Sequence, residues 1–173
     1  MTGANKGIGL ARGNWIHLLN SDDEYASPNA VASAVEQLDP AAFNYCAIEL
    51  VRLDEKRERL FFLYRRWKLF VSAYLPHPGC IVSAEQYKKF GLYDTKYKIA
   101  ADHELILRYT DVLPPHALDV TLTRMFQGGA SSMAAQTACE EFRAITTLYG
   151  CPSILARVLK FLRLRRSKVK SAE

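Results

Sequence analysis

The chain has 173 residues (19.5 kDa), of which 49% are apolar and 24% charged, and a net charge of +5. That length is one domain at about 150 residues per domain. Eight Phe, nine Tyr and two Trp exclude a disordered chain, and no apolar run reaches the ~20 residues a bilayer-crossing helix requires. Met1–Lys6 lacks the apolar core of a secretory signal. Cys46, Cys80, Cys139 and Cys151 lie far apart, without the close Cys/His pairs of a zinc site, and read as reduced thiols of a cytosolic protein.

The positive charge is concentrated. Arg157, Lys160, Arg163, Arg165, Arg166, Lys168 and Lys170 follow one another with no acid between them, and removing those seven from the net +5 leaves −2. A nearly neutral body with a basic end argues against nucleic acid as the partner of the domain and for a tail with a partner of its own.

In chain order, Asn5–Ala11 reads as the end of a helix stopped by Gly13, and Trp15–Leu19 as a short buried strand that ends in Asn20-Ser21-Asp22-Asp23. Ser27 with Pro28 predicts a helix running to Leu38. Phe43–Leu53 and Arg59–Tyr64 alternate as strands about a charged turn at Asp54–Arg57. Cys80–Val82 is a further strand, and Ser83 with Gln86 forms a capping box for a short helix that Gly91 ends. Asp102–Tyr109 predicts a helix with Leu105 and Ile106 inward and His103, Glu104 and Arg108 outward. Leu118–Phe126 predicts a strand after Pro114-Pro115. Gly128-Gly129 leads to a helix capped by Ser131 or Ser132 and ending at Tyr149, and a last helix starts at Ser153. The expected architecture is a single α/β domain over 1–152 with a basic amphipathic helix or tail at 153–173.

Two stretches invite chemical readings. Thr2-Gly3-Ala4-Asn5-Lys6-Gly7-Ile8-Gly9 matches the glycine-rich opening of short-chain dehydrogenases, and Tyr64 and Lys68 supply a Tyr-x-x-x-Lys. That motif needs a strand before it, where this sequence has only Met1, and Tyr64 follows too soon; a glycine-tolerant helix end is the simpler reading. Asp22 and Asp23, adjacent carboxylates at the C-terminal end of an apolar strand, repel each other unless a cation or ribose hydroxyls compensate. Magnesium or manganese shared with substrate phosphates is the usual solution, and an Asx-rich turn the plain alternative.

The run Asn5 to Asp23, with Asn-Lys-Gly-Ile, then Ala11-Arg12-Gly13, an apolar strand and Leu19-Asn20-Ser21-Asp22-Asp23, resembles the central signature of family-2 glycosyltransferases. The resemblance continues through His77-Pro78 and Cys80–Ser83, the turn Gly91-Leu92-Tyr93-Asp94, the Asp102-His103-Glu104 helix, and Phe126-Gln127-Gly128-Gly129-Ala130-Ser131, in the family's order. It implies a GT-A-type sheet flanked by helices, without the family's first βα units, so an N-terminally truncated member. It further implies an inverting, metal-dependent enzyme that moves a sugar from a nucleoside-diphosphate-sugar to a saccharide or lipid-linked acceptor, as in polysaccharide assembly.

On that resemblance Asp102 takes the general-base role, an N-cap aspartate being its structural alternative. Asp23 ligates Mn²⁺ or Mg²⁺, with Asp22 on the ribose or in the metal's water shell. Gly128 and Gly129 either let the backbone approach the diphosphate or form a tight strand-to-helix turn. His77 and His103 are acceptor-side candidates, although a His before Pro is commonly structural. The tail either lies on an anionic membrane, which makes the protein cytoplasmic and peripheral on the inner membrane face, or packs on the domain. A second functional reading is a non-catalytic remnant that serves as a binding or membrane-associated module.

Overall fold

The computed structural model describes residues 2–127 and 135–150. Helix α1 (Thr2–Leu10) precedes β1 (Trp15–His17) and β2 (Glu24–Tyr25), followed by α2 (Ala30–Val35). The hairpin β3 (Phe43–Val51) and β4 (Arg57–Leu60) leads to α3 (Arg66–Val71), a 3₁₀ turn at His77–Gly79, β5 (Cys80–Ser83) and α4 (Ala84–Phe90). The last elements among the described residues are α5 (Ala101–Thr110), β6 (Pro115–Phe126) and α6 (Ala135–Leu148).

The six strands form one mixed sheet in the order β1-β5-β3-β6-β2, with β4 also paired to β3. At its centre β3 and β6 run parallel from Phe43–Pro115 to Val51–Phe126, with register shifts at Cys46–Ile48. Alternation along the strands sends side chains to two layers. Phe43, Tyr45, Cys80 and Val82 pack with Ile8, Tyr87, Leu105, Tyr109 and Ile145 on the face covered by α1, α4, α5 and α6. Cys46, Ile81, Leu118, Val120 and Leu122 pack with Ala30 and Ala34 of α2 on the other.

Two glycines shape the region where the layers meet. A Cβ on Gly79 would lie 2.8 Å from the Cys46 carbonyl oxygen, so only glycine lets the 3₁₀ turn cross β3 this closely. Gly91, at φ +90°, ends α4 in a conformation that side chains rarely adopt. The capping box expected at the start of α4 is present: the Gln86 N–H donates to Ser83 Oγ at 3.0 Å, and the Ser83 N–H to Gln86 Oε1 at 3.2 Å.

The structure departs from the sequence expectations at four points. The helix expected from Ser27 begins only at Ala30, because β2 pairs with β6 and the Ala26 N–H donates to the Leu122 carbonyl, keeping the chain extended. The strand expected over Arg59–Tyr64 is instead Arg57–Leu60, where β4 pairs with β3, and helix α3 follows at Arg66–Val71. β6 starts at Pro115, drawn into register by its parallel partner β3. His103 and Glu104, expected outward, are 1% and 5% exposed because α6 covers α5: the ring of His103 stacks on Phe142 at 4.4 Å, and Tyr149 Oη donates to Glu104 Oε1 at 2.7 Å. Among the described residues no helix is long and apolar enough to cross a membrane. Cys46, Cys80 and Cys139 are free, buried thiols, as expected of reduced cysteines. The predicted tail helix, Cys151, Gly128, Gly129 and the Ser131/Ser132 cap lie outside the described residues.

Candidate functional site

A cleft of about 340 Å³ opens where the end of β1, the 3₁₀ turn, the start of α5 and the flank of α6 converge. Asn20, His77 and Asp102 line it, together with Pro76, Pro78, Ile99, Met125 and Phe142. Members of three stretches that the sequence singled out, Asn20, His77-Pro78 and Asp102-His103, thus line one cavity although Asn20 and Asp102 are 82 positions apart. Asp22 and Asp23, expected to point into the same cleft, are not among its lining residues.

Asp102 is the second residue of α5, and its Oδ1 accepts the His103 N–H at 2.7 Å. Burial is the main cause that raises its pKa above the ordinary carboxylate value; the His103 hydrogen bond opposes the shift and the charge of Glu141 adds to it. A carboxylate whose pKa is held above its ordinary value is the better proton acceptor. Glu141, on α6, holds the element in place: its carboxylate accepts the N–H groups of Lys98, Ile99 and Ala100 at 2.8, 2.9 and 2.9 Å. Three charge-assisted bonds therefore fix the entry to the helix, whose backbone donors favour a negative charge there.

The turn after α4 is fixed from two sides. The Arg108 guanidinium donates to the carbonyls of Phe90, Gly91 and Leu92 while pairing with Glu104. From α1, the Asn5 amide donates to the Tyr93 carbonyl at 2.9 Å, and its oxygen accepts the Tyr93 N–H at 3.1 Å. The Tyr93 side chain in turn meets His77, Nε2 to Oη at 2.6 Å. Burial lowers the pKa of His77 to about 4, with His17 contributing, so His77 is a neutral wall of the cleft and not a proton shuttle near pH 7.

On the opposite side, the Asp23 N–H closes a turn onto the Asn20 carbonyl at 3.1 Å, and the Asn20 amide donates to Asp23 Oδ2 at 2.8 Å. The Asp23 pKa is raised, first by burial and further by Asp22; the bonds from Asn20 and the Phe126 N–H, and the nearby His17, work against this. Asp22 is exposed and Asp23 half-buried. His17 stands behind the turn. Its Nε2 faces the Pro78 carbonyl at 2.9 Å, which can only accept, so Nε2 carries the proton and Nδ1 receives the Tyr25 hydroxyl at 3.2 Å. Thr123 Oγ1 donates to the same Pro78 carbonyl at 2.9 Å.

Among the described residues no group of three or more His, Cys, Asp or Glu side chains converges on a metal position. Asp22 and Asp23 are adjacent carboxylates, and the charge of the first acts on the second. The dehydrogenase reading does not survive. Gly3, Gly7 and Gly9 lie within a helix, with no atom within 4 Å of a Cβ built on any of them, so they form no cradle for a pyrophosphate. Glu141, the Asn5–Tyr93 pair and the His17–Pro78 bond were not visible in the sequence. Glu141 sits beside Glu140 in an unremarkable helical stretch, and nothing local distinguishes the carboxylate that folds inward from its neighbour.

No family model matches the chain. Among proteins of known sequence it is similar to an uncharacterized glycosyltransferase of Mycobacterium tuberculosis, found in strains H37Rv and CDC 1551. The identity is 32% over 133 residues, which is 74% of this chain and 50% of the relative. It is also similar to an uncharacterized glycosyltransferase of Rickettsia typhi, 28% identical over 159 residues, 82% of this chain and 48% of that protein. The chain spans about half the length of these curated relatives. All three relatives are named as glycosyltransferases.

Proposed function

We propose that the chain carries the metal- and acceptor-side portion of a family-2, GT-A-type, inverting glycosyltransferase that uses a nucleoside-diphosphate-sugar. The observation that carries this reading is the placement of Asp102, with its raised pKa, in the same cleft as Asn20 of the Leu-Asn-Ser-Asp-Asp stretch. The names of the relatives support the reaction class.

In the proposed reaction an acceptor hydroxyl enters between His77 and Asp102. Asp102 takes its proton as the oxygen bonds to the anomeric carbon, and the bond from that carbon to the diphosphate breaks on the opposite face, inverting the configuration. Glu141 fixes the start of α5, and with it the direction of the base. His77, neutral, shapes the acceptor side without competing for the proton. Asp22 and Asp23 would hold a divalent cation jointly with the donor diphosphate; their residue type fits, since a cation relieves the repulsion between adjacent carboxylates. Such a cation, when bound, offsets the charge that develops on the leaving diphosphate. Gly128 and Gly129 are proposed to border the diphosphate.

Calorimetry with Mn²⁺ and a nucleoside diphosphate tests the assignment. The chain should bind the pair, Asp23→Ala should abolish binding, and Asp102→Asn should leave it intact while removing sugar transfer. Equal binding by Asp23→Ala would withdraw the metal role, and transfer undiminished in Asp102→Asn would withdraw the base.

A further inference from the structure

Residues 61–71 present an apolar outer face that solvent alone does not explain. After β4 the chain alternates: Phe62 and Tyr64 pack against the core, and the Tyr64 N–H donates to Tyr45 Oη at 3.2 Å. The residues pointing away are Phe61 and Leu63, 44% and 58% exposed, where an amphipathic strand would carry polar groups. In α3 the pattern repeats. Leu69 is fully buried, while Trp67 and Val71, one turn apart, are 61% and 42% exposed.

This face cannot fold inward. Tyr74 Oη accepts the Arg65 N–H at 2.5 Å and donates to the Arg65 carbonyl at 3.1 Å, closing the loop that carries α3 at its neck. The stretch 61–76 holds Arg65, Arg66 and Lys68 and no acid. Arg66 pairs with Asp111; among the described residues Arg65 and Lys68 have no acidic partner, and Lys68 Nζ lies 6.0 Å from the Trp67 ring and 5.7 Å from that of Tyr74. Exposed Trp, Phe and Leu interleaved with cations, without acids, is the composition that seats in a lipid headgroup layer of negative charge.

We propose that this face docks the protein on an anionic membrane surface. The chain leaving it runs directly into the cleft, since Ala73 and Leu75 line the cavity that contains Asp102. Docking here sets the cleft beside the bilayer, which favours a lipid-linked acceptor; that consequence rests on the glycosyl-transfer reading, whereas the surface itself does not.

The chain has two tryptophans, Trp15 and Trp67, so the full-length Trp15→Phe variant reports on Trp67 alone. With vesicles of phosphatidylcholine and phosphatidylglycerol, its emission should shift to the blue and be quenched by bromine-labelled lipid, and added salt should reverse both effects. Leu63→Ser combined with Trp67→Ser, at exposed positions that leave the fold intact by circular dichroism, should weaken partitioning about tenfold or more. Three results would overturn the proposal: vesicle binding with Trp67 emission unchanged, which places the contact elsewhere on the chain; a Trp67 shift in a dimer without lipid, which makes the occupant a second copy; and a Trp67 response to RNA but not to vesicles. Calorimetry with nucleoside diphosphate reports on the glycosyl-transfer reading separately, so either idea can fail without the other.

Discussion

The two stretches that carry the candidate carboxylates are built in opposite ways. Asp102 stands on a helix whose entry is held by three bonds to Glu141, beside a turn clamped by Arg108 from one side and Asn5 from the other. Asp22 and Asp23 stand on an open turn closed by one backbone bond and one amide contact from Asn20. The first is braced by several residues distant in sequence; the second has one distant bond, from the Phe126 N–H to Asp23, and is otherwise held by its neighbours. A proton acceptor is useful only if its direction is fixed in advance, so rigidity belongs there. A pair of carboxylates that awaits a cation gains its order from the ligand, and low local stability is compatible with that.

The largest difference between the two stretches should appear on removing Glu141. Glu141→Ala leaves three backbone donors without their acceptor and should cost about 3 kcal/mol in urea unfolding, with Glu141→Gln milder because it keeps one acceptor oxygen. Asn20→Ala, on the exposed turn, should cost under about 0.5 kcal/mol. Comparable losses at the two sites would erase the contrast. Next in size, Asn5→Ala removes both bonds to the Tyr93 backbone and should cost about 1–2 kcal/mol by the same measurement.

The smallest effect is a slope. Burial holds the Asp102 carboxyl above its ordinary value, so the folded protein keeps a proton that the unfolded chain has already released. The stability contributed by this group therefore falls as pH rises from the ordinary carboxylate value of about 4 through the folded value. Asp102→Asn removes that loss. Its stability relative to the parent should climb through this window and level off above it, as urea midpoints measured between about pH 4 and 8 would show. Asp23→Asn should follow with the same sign and a shallower slope, because hydrogen bonds and His17 already offset its burial. Parallel curves for Asp102→Asn and the parent would mean that the carboxyl is not desolvated.

The sequence made some of this legible and hid the rest for identifiable reasons. The Ser83–Gln86 box, the Gly91 stop and the β3–β4 hairpin are local devices whose partners lie within a few residues, and all three are present. Asp102 was legible as the start of a helix. The start of α2 was misplaced because Ser27-Pro28 is a valid cap signal overridden by pairing of β2 with a strand about 100 residues away. Glu104 reads as a surface residue until Arg108 and Tyr149 are seen to satisfy it, and Tyr149 is 45 positions distant. The same holds for the brace: Glu141 meets residues 41 to 43 positions away, a distance at which no pattern of polarity carries information.

The Asn5–Tyr93 pair bears on how the molecule is assembled during synthesis. Its two members are 88 positions apart, and α1 buries only Ile8. At the usual pace of translation, about 5–20 residues per second, α1 leaves the ribosome roughly 4–18 s before the backbone that receives its amide. Through that interval the Asn5 side chain lacks the backbone partner it has in the folded structure. Helix α1 is therefore secured well after it is made, and the turn that secures it is the one that also positions Tyr93 against His77.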